Sequence, residues 1–388
     1  MKPNNLMKLS IILPIVFKRI NAVFIAALFV TGMIIAFSAS VHAAPIPPGT
    51  TGIKWHPGHY YTIQNWANDD PIYMAQVYKE LEATPALRGM QLRYLWGWLE
   101  KSPGVYDFSS IDKHLEKLTK MNKRLVIQVQ TKSFDAKWQL IPDYLKAPKY
   151  EGGAFAFHNW GSKKSIDGYN IKLWNPYVRN RLVALFKALG ERYNSHPNFE
   201  GIGMIETAMG QAITPLTAAQ NDGWFNNLII VQQKARTFFP NTMTIQELNY
   251  PRQYLEQLVT AMTEMGGTLG CPDIYPEAPD LNFLGNQYSP KGLYPYFSEL
   301  SGTIPIAPTV EKVNYLNTRN DKLGHVPTVQ EILAFGRNKL KSNYIFWQRI
   351  PEYVDQVLEV MSWKRQMSTP SGGLISTCPS AYPSCITD

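Results

Sequence analysis

Two glutamates stand where short apolar runs end. Glu206 closes Gly201-Ile-Gly-Met-Ile-Glu206, and Glu311 closes Ile304-Pro-Ile-Ala-Pro-Thr-Val-Glu311. Each run has the length and composition of a buried strand. Counted along the chain, they are the fourth and the seventh of eight such runs. Two carboxyl groups brought face to face can break a glycosidic bond through an oxocarbenium-like transition state. One donates a proton to the leaving oxygen, and the other attacks or supports the anomeric carbon. That division of labour needs surroundings that push the two pKa values apart.

The elements that must position this pair are legible as a pattern. Apolar runs alternate with amphipathic segments, as in a parallel α/β fold. The strand candidates are residues 52–56 (running into 57–61), 89–96, 124–130, 201–205, 243–248, 268–271, 304–310 and 343–347. Helical segments separate most of them, for example residues 71–84, 176–193, 252–265 and 328–340. Eight strands in this alternation predict one (β/α)₈ TIM barrel. In such a barrel every strand's C-terminal end opens on one face, where active sites are built. Residues 131–175 form a long insertion rich in Gly, Lys and aromatics, among them Trp138, Tyr144, Tyr150, Phe155, Phe157, His158, Trp160 and Trp174. A loop of that length is usually functional. With the irregular stretch 276–302 it would form the walls of a cleft.

The chain has 388 residues, 38 of them basic and 30 acidic. Residues 1–43 read as a secretory signal peptide. Lys2, Lys8, Lys18 and Arg19 make a basic start, and an apolar run from about Val23 to Phe37 follows. Ser38-Ala-Ser-Val-His-Ala43 ends in a small-residue cleavage pattern with Val41 and Ala43 at the recognition positions. The apolar run is shorter than the roughly 20 residues of a spanning helix; an uncleaved N-terminal anchor is the alternative. Four basic residues and no acidic ones leave with this segment, so the remainder carries an excess of only 4 positive charges. Neither that balance nor export points to nucleic acid. Residues 44–368 suit one catalytic barrel, and residues 369–388 form a Cys/Pro/Ser-rich tail. In an oxidising compartment Cys378 and Cys385 would close a small disulfide loop there. Cys271 reads as a lone buried thiol.

The segment Arg93-Tyr-Leu-Trp96-Gly-Trp-Leu-Glu100-Lys-Ser-Pro103-Gly104-Val-Tyr106-Asp107-Phe108 resembles the second-strand region of clan A glycoside hydrolases. Lys123-Arg-Leu-Val-Ile-Gln128 continues the likeness. The resemblance implies a general acid/base after the fourth strand and a nucleophile after the seventh, the positions of Glu206 and Glu311. It also implies a tryptophan flooring the sugar site after the eighth strand, where Trp347 stands. One departure is plain: the clan has Asn before its acid/base glutamate, to hold the sugar's 2-hydroxyl, and this chain has Ile205.

Around the two glutamates the expected lining is Arg93, Trp96, His56, Asn249, Asp273, Tyr275 and Trp347. Arg93 would hydrogen-bond Glu311 and favour its ionised form. Each has a plainer reading. A glutamate after a strand can cap the next helix, Arg93 can be a structural ion-pair member, Asp273 can cap a turn, and tryptophans are often plain core. Glu247, on the fifth strand, is a competing carboxylate that alternation places either in the barrel or against the helices. His56 and His59 flank Pro57-Gly58, but no acidic or cysteine residue has ligand spacing to them. There is no phosphate-binding Gly-rich loop and no Gly-x-Ser-x-Gly elbow, so no cofactor or metal is expected. Lys132, Lys163, Lys164 and Lys312 could meet an acidic polysaccharide. The reading that emerges is an exported glycoside hydrolase acting with retention on a β-linked oligo- or polysaccharide. Its rival is a barrel that binds carbohydrate and has lost catalysis.

Overall fold

The computed structural model describes residues 49, 51–159, 162, 166–318 and 324–387. The signal-like segment 1–43, Trp160, Lys163 and Lys164 lie outside these residues. Eight strands close into a barrel: β1 (Gly58–Ile63), β2 (Leu87–Leu95), β3 (Arg124–Gln130), β4 (Phe199–Met204), β5 (Met243–Glu247), β6 (Thr268–Cys271), β7 (Ile306–Val310) and β8 (Tyr344–Gln348). Every neighbouring pair is parallel, including β8 with β1. A helix follows each strand: α1 (Pro71–Ala83), α2 (Ser109–Lys120), α3 (Pro176–Tyr193), α4 (Ala218–Phe238), α5 (Leu255–Glu264), α6 (Leu293–Leu300), α7 (Val329–Asn338) and α8 (Val354–Met361). The expected TIM barrel is the observed fold. Among the described residues no helix is long and apolar enough to cross a membrane.

Local sequence explains the helix starts. Asp70 and Asn175 accept the first free backbone N–H groups of α1 and α3, each with Pro at the first helical position,. Thr217 with Gln220, and Thr328 with Glu331, form reciprocal capping boxes on α4 and α7,. Strand closure depends on one glycine in particular. At Gly89, which pairs with Arg124, a Cβ would lie 1.9 Å from the Arg124 carbonyl oxygen.

Alternation along the strands sorts side chains between lumen and helices. Tyr60, Val126, Met243, Ile245, Ala307, Tyr344 and Phe346 form one apolar cluster distinct from the larger core beneath the helices. One step further along the same strand faces come Thr62, Gln128, Glu247 and Thr309, all buried. The lumen is thus largely apolar toward its N-terminal end, where the Tyr344 hydroxyl meets the buried Glu200 carboxylate, and polar beneath the C-terminal opening.

One expectation is corrected. Residues 52–56 are not a barrel strand. Ile53–Lys54 pairs instead with Cys385–Ile386, below the barrel, and the first barrel strand begins at Gly58. The C-terminal segment packs across that end. Trp55 Nε1 donates to the Ser376 carbonyl at 2.8 Å, Tyr382 is buried against Trp55, and Cys378 and Cys385 form the expected disulfide. The long insertion is partly ordered as a sheet: Ala154–His158 pairs with Gly168–Ile171 and with Gln211–Ala212.

Candidate active site

A cleft of about 350 Å³ opens at the C-terminal ends of the strands. It is lined by Arg93 from β2, Ile205 and Glu206 after β4, Glu247 from β5, Asp273 after β6, and Glu311 and Lys312 after β7. Gln64, Phe134 and Gln348 complete it at the ends of β1, β3 and β8. A larger hollow of about 440 Å³ lies within the 131–175 insertion. Its one carboxylate, Asp143, sits in an exposed ion pair with Lys146, so it offers no pair of carboxyls.

Each of the two predicted glutamates is held by its own cation. Arg93 reaches Glu311 through Nη2, Gln128 through Nε at 2.9 Å and Gln64 through Nη1 at 3.3 Å. The Gln64 amide donates to the second oxygen of Glu311 at 3.0 Å. Burial works against the charge on Arg93, but Glu311 and then Glu247 more than offset it and raise its pKa. Lys132 donates to Glu206 at 2.7 Å and to the Ala208 carbonyl at 2.7 Å, with the Phe134 and Phe157 rings on either side. Asn249 donates to the other Glu206 oxygen at 2.6 Å. The amide's orientation is fixed, because its oxygen accepts from the backbone N–H of Ala208 and of Tyr250. The carboxyls stay reachable, at 15% and 16% exposure for Glu206 and Glu311, while Lys132 and Arg93 show only 5% and 6%.

Glu247 points into the lumen, which settles the alternation. It is 2% exposed and accepts from Thr309 Oγ1 at 2.8 Å. Burial pushes its carboxyl up to about 7, against the pull of Arg93. Asp273 accepts from Asn314 Nδ2 at 3.0 Å at the cleft edge.

Other expected site residues lie elsewhere. His56 precedes β1 and sits at the opposite end of the barrel, where its Nδ1 meets Glu200 at 2.7 Å and Tyr344 bonds the same carboxylate. His56 was expected at the opening on the premise that residues 52–56 form the first strand; β1 instead ends at Ile63, and Gln64, the next residue, takes that place at the cleft. His59 faces the helices, paired with Trp347 Nε1 and the Gly372 carbonyl, and burial pushes its ring down to about 4. Trp347 is fully buried by strand alternation and offers no face to the cleft; its neighbour Gln348 lines it. Trp96 is also fully buried and donates to Glu100 at 2.9 Å. Glu100 in turn accepts from Gly104 N and pairs with Arg181, so this part of the recognised motif locks the loop to α3. Tyr275 is buried with its hydroxyl on Thr318. Lys132 is spent on Glu206, and Lys312 on Glu352.

The sequence reading passed over Gln64, Phe134 and Gln348. Gln64 and Gln348 follow from alternation once the strands are in register, since each shares a face with a lumen residue two positions earlier. Among the described residues, Phe134 carries the one large exposed ring in the cleft, at 51%.

No protein-family model matches the sequence, and no curated protein matches it. Solved structures with a similar course of chain are glycoside hydrolases. The catalytic domain of a β-amylase from Paenibacillus polymyxa is 9% identical at a TM-score of 0.48, over 82% of this chain and 97% of that one. A β-galactosidase from Marinomonas ef1 is 9% identical at 0.48, over 75% of this chain and 54% of the other, so the chain spans about half its length. A psychrophilic family 10 endo-β-1,4-xylanase is 10% identical at 0.43, over 76% and 86%. The closed parallel barrel, rather than these likenesses, establishes the fold.

Proposed function

We propose that the cleft hydrolyses a β-glycosidic bond of an oligo- or polysaccharide with retention, with Glu206 as acid/base and Glu311 as nucleophile. The observation that carries this reading is the convergence of both glutamates on one cleft, each from a different strand end and each anchored by a buried cation. Arg93 keeps Glu311 aimed and charged, as an attacking carboxylate needs. Phe134 offers an apolar face to a sugar ring. Glu206 must take up a proton before the first step. Lys132 Nζ then retains the Ala208 carbonyl and the two rings as partners. Retention requires the two carboxyl groups to stand about 5–5.5 Å apart. The protein works outside the cytoplasm in this account. The 1–43 segment and the Cys378–Cys385 disulfide support that,.

The arrangement around Glu206 also favours a second reading, a carbohydrate-binding barrel without turnover. Both Glu206 oxygens face donors, Lys132 and Asn249, which suits a permanent carboxylate. A panel of neutral and acidic β-polysaccharides, offered to the purified protein lacking residues 1–43, separates the two. Release of reducing ends, with the β-anomer formed first by proton NMR, supports the retaining enzyme. Saturable glycan binding without any product supports the binding protein.

A further inference from the structure

The mechanism above uses two of the three glutamates in the cleft. Glu311 is held by Arg93 and Gln64, and Glu206 by Lys132 and Asn249, so the one proton either offers a ligand is the one Glu206 passes to the leaving oxygen. Gln64 is committed to Arg93 and Glu311, and the Gln348 oxygen to the Lys312 backbone N–H. A sugar ring presents hydroxyls that both donate and accept, so beside these two carboxyls the site also needs donors. Glu247 stands apart. It ends β5 on the lumen side, lines the same cleft and is almost wholly enclosed. Its hydrogen-bond partner is a hydroxyl, Thr309, rather than a cation. The strand beside it is shaped for it: at Gly270 a Cβ would stand 3.0 Å from Glu247 Cγ.

We propose that Glu247 works as a neutral carboxylic acid, donating a hydrogen bond to a hydroxyl of the sugar seated against Glu311 and so positioning it for attack. The inference rests on the glycoside-hydrolase reading for its ligand, but the protonation state is a property of the unliganded protein. Burial favours the neutral form,. The charged groups around it from the neighbouring elements are Arg93 on β2, Glu206 after β4, Asp273 after β6, and Glu311 and Lys312 after β7. Arg93 and the hydrogen bonds from Thr309 and Gln128 pull toward ionisation. Glu311 pushes back, because two carboxyls sharing one cation resist a second charge,. The directional consequence is definite: as pH rises through about 7, Glu247 loses its donor and adds a negative charge beside Glu311.

The test compares the whole protein with Glu247→Gln and Glu247→Leu. In an NMR titration of unliganded protein carrying ¹³C-labelled glutamate, one carboxyl signal should titrate near pH 7 and be missing from both variants. This readout needs no turnover, so it stands or falls apart from the hydrolase assignment. A titration confined below pH 5 would overturn the proposal. On a glycoside that the wild type cuts, kcat/KM should fall about tenfold per pH unit above the midpoint. In Glu247→Gln, whose amide donates but cannot ionise, the part of that fall set by Glu247 should vanish, leaving only the limb of the Glu206 general acid, with KM raised by up to about tenfold. Glu247→Leu should raise KM by about tenfold or more at every pH. An alkaline fall that persists unchanged in Glu247→Gln, or a Glu247→Leu protein with wild-type KM, would refute the role. If no glycoside is cut, the same contrasts are read in glycan affinity by calorimetry, where equal affinity in all three proteins at pH 5 and pH 8 refutes it.

Discussion

Replacing Arg93 with methionine removes the cation on which the β2 and β7 sides of the cleft converge. The guanidinium makes three hydrogen bonds, to Gln128, Gln64 and Glu311, and all three partners are left behind. Breaking a buried ion pair by deleting one member costs about 3–5 kcal/mol. The Glu311 side chain is 16% exposed, so water can reach it and the lower end, about 3 kcal/mol, applies,. Against the roughly 5–15 kcal/mol that holds a domain folded, the variant should remain folded but with a clearly lower urea midpoint. The same loss of aim and charge at Glu311, taken at about 3 kcal/mol, is a factor of roughly 150 in kcat/KM. Arg93→Lys should fall between, because an ammonium keeps the charge but cannot reproduce the planar three-way fork. Urea unfolding followed by tryptophan fluorescence gives the first number, and initial rates on a cleaved glycoside give the second. A midpoint shift worth under about 1 kcal/mol, with activity within threefold of wild type, would place Arg93 among ordinary surface ion pairs and refute the reasoning.

Other outcomes follow from the rest of the molecule. At the closed end of the barrel, burial pushes the Glu200 carboxyl up, but His56 and then Arg124 outweigh it and hold it at about 2. A depressed folded pKa contributes stability above the unfolded value, about 4.3, and that contribution is lost as pH falls through the folded one. Acid unfolding of the wild type should therefore steepen between about pH 4.5 and 2, and Glu200→Gln should flatten that part of the circular-dichroism curve. The Cys378–Cys385 loop has a sequence separation of 7, so reduction should cost about 2 kcal/mol and lower Tm without touching the cleft,. Gly89→Ala should fail to fold, because its methyl group would meet the Arg124 carbonyl; recovery of soluble protein with wild-type Tm would contradict the register. On the proposed reading of residues 1–43 as a signal peptide, the processed protein should begin at Ala44, which intact-mass measurement decides; a mass that includes residues 1–43 would favour the anchor.

Much of the architecture was legible because a parallel strand buried on both faces is a short apolar run that few other elements imitate. Glu206 and Glu311 could be placed from strand order alone, since order fixes position around the barrel. What failed was parity and register. His56 was misplaced because Ile53-Lys54-Trp55 alternates like a strand and is as buried as one, yet pairs with the far C-terminus, a contact that local sequence does not encode. Trp347 and Trp96 read as site residues because size and aromaticity are visible in sequence; the side of β8 that Trp347 takes is not, and a one-residue offset turns a side chain away, while Trp96 opens a short helical turn after β2 and is buried against Glu100. Lys132 read as a surface charge because nothing nearby in sequence reveals its partner, Glu206, 74 positions on.

The central claim, that Glu206 and Glu311 are the acid/base and nucleophile of a retaining glycosidase, is met most directly by chemical rescue. Glu206→Ala and Glu311→Ala would be given aryl β-glycosides with good leaving groups in the presence of azide. The account predicts that azide restores turnover in both, giving the β-glycosyl azide with the first variant and the α-glycosyl azide with the second. Rescue in neither, from proteins that retain wild-type glycan affinity and wild-type stability, would contradict it and leave the barrel a carbohydrate-binding protein.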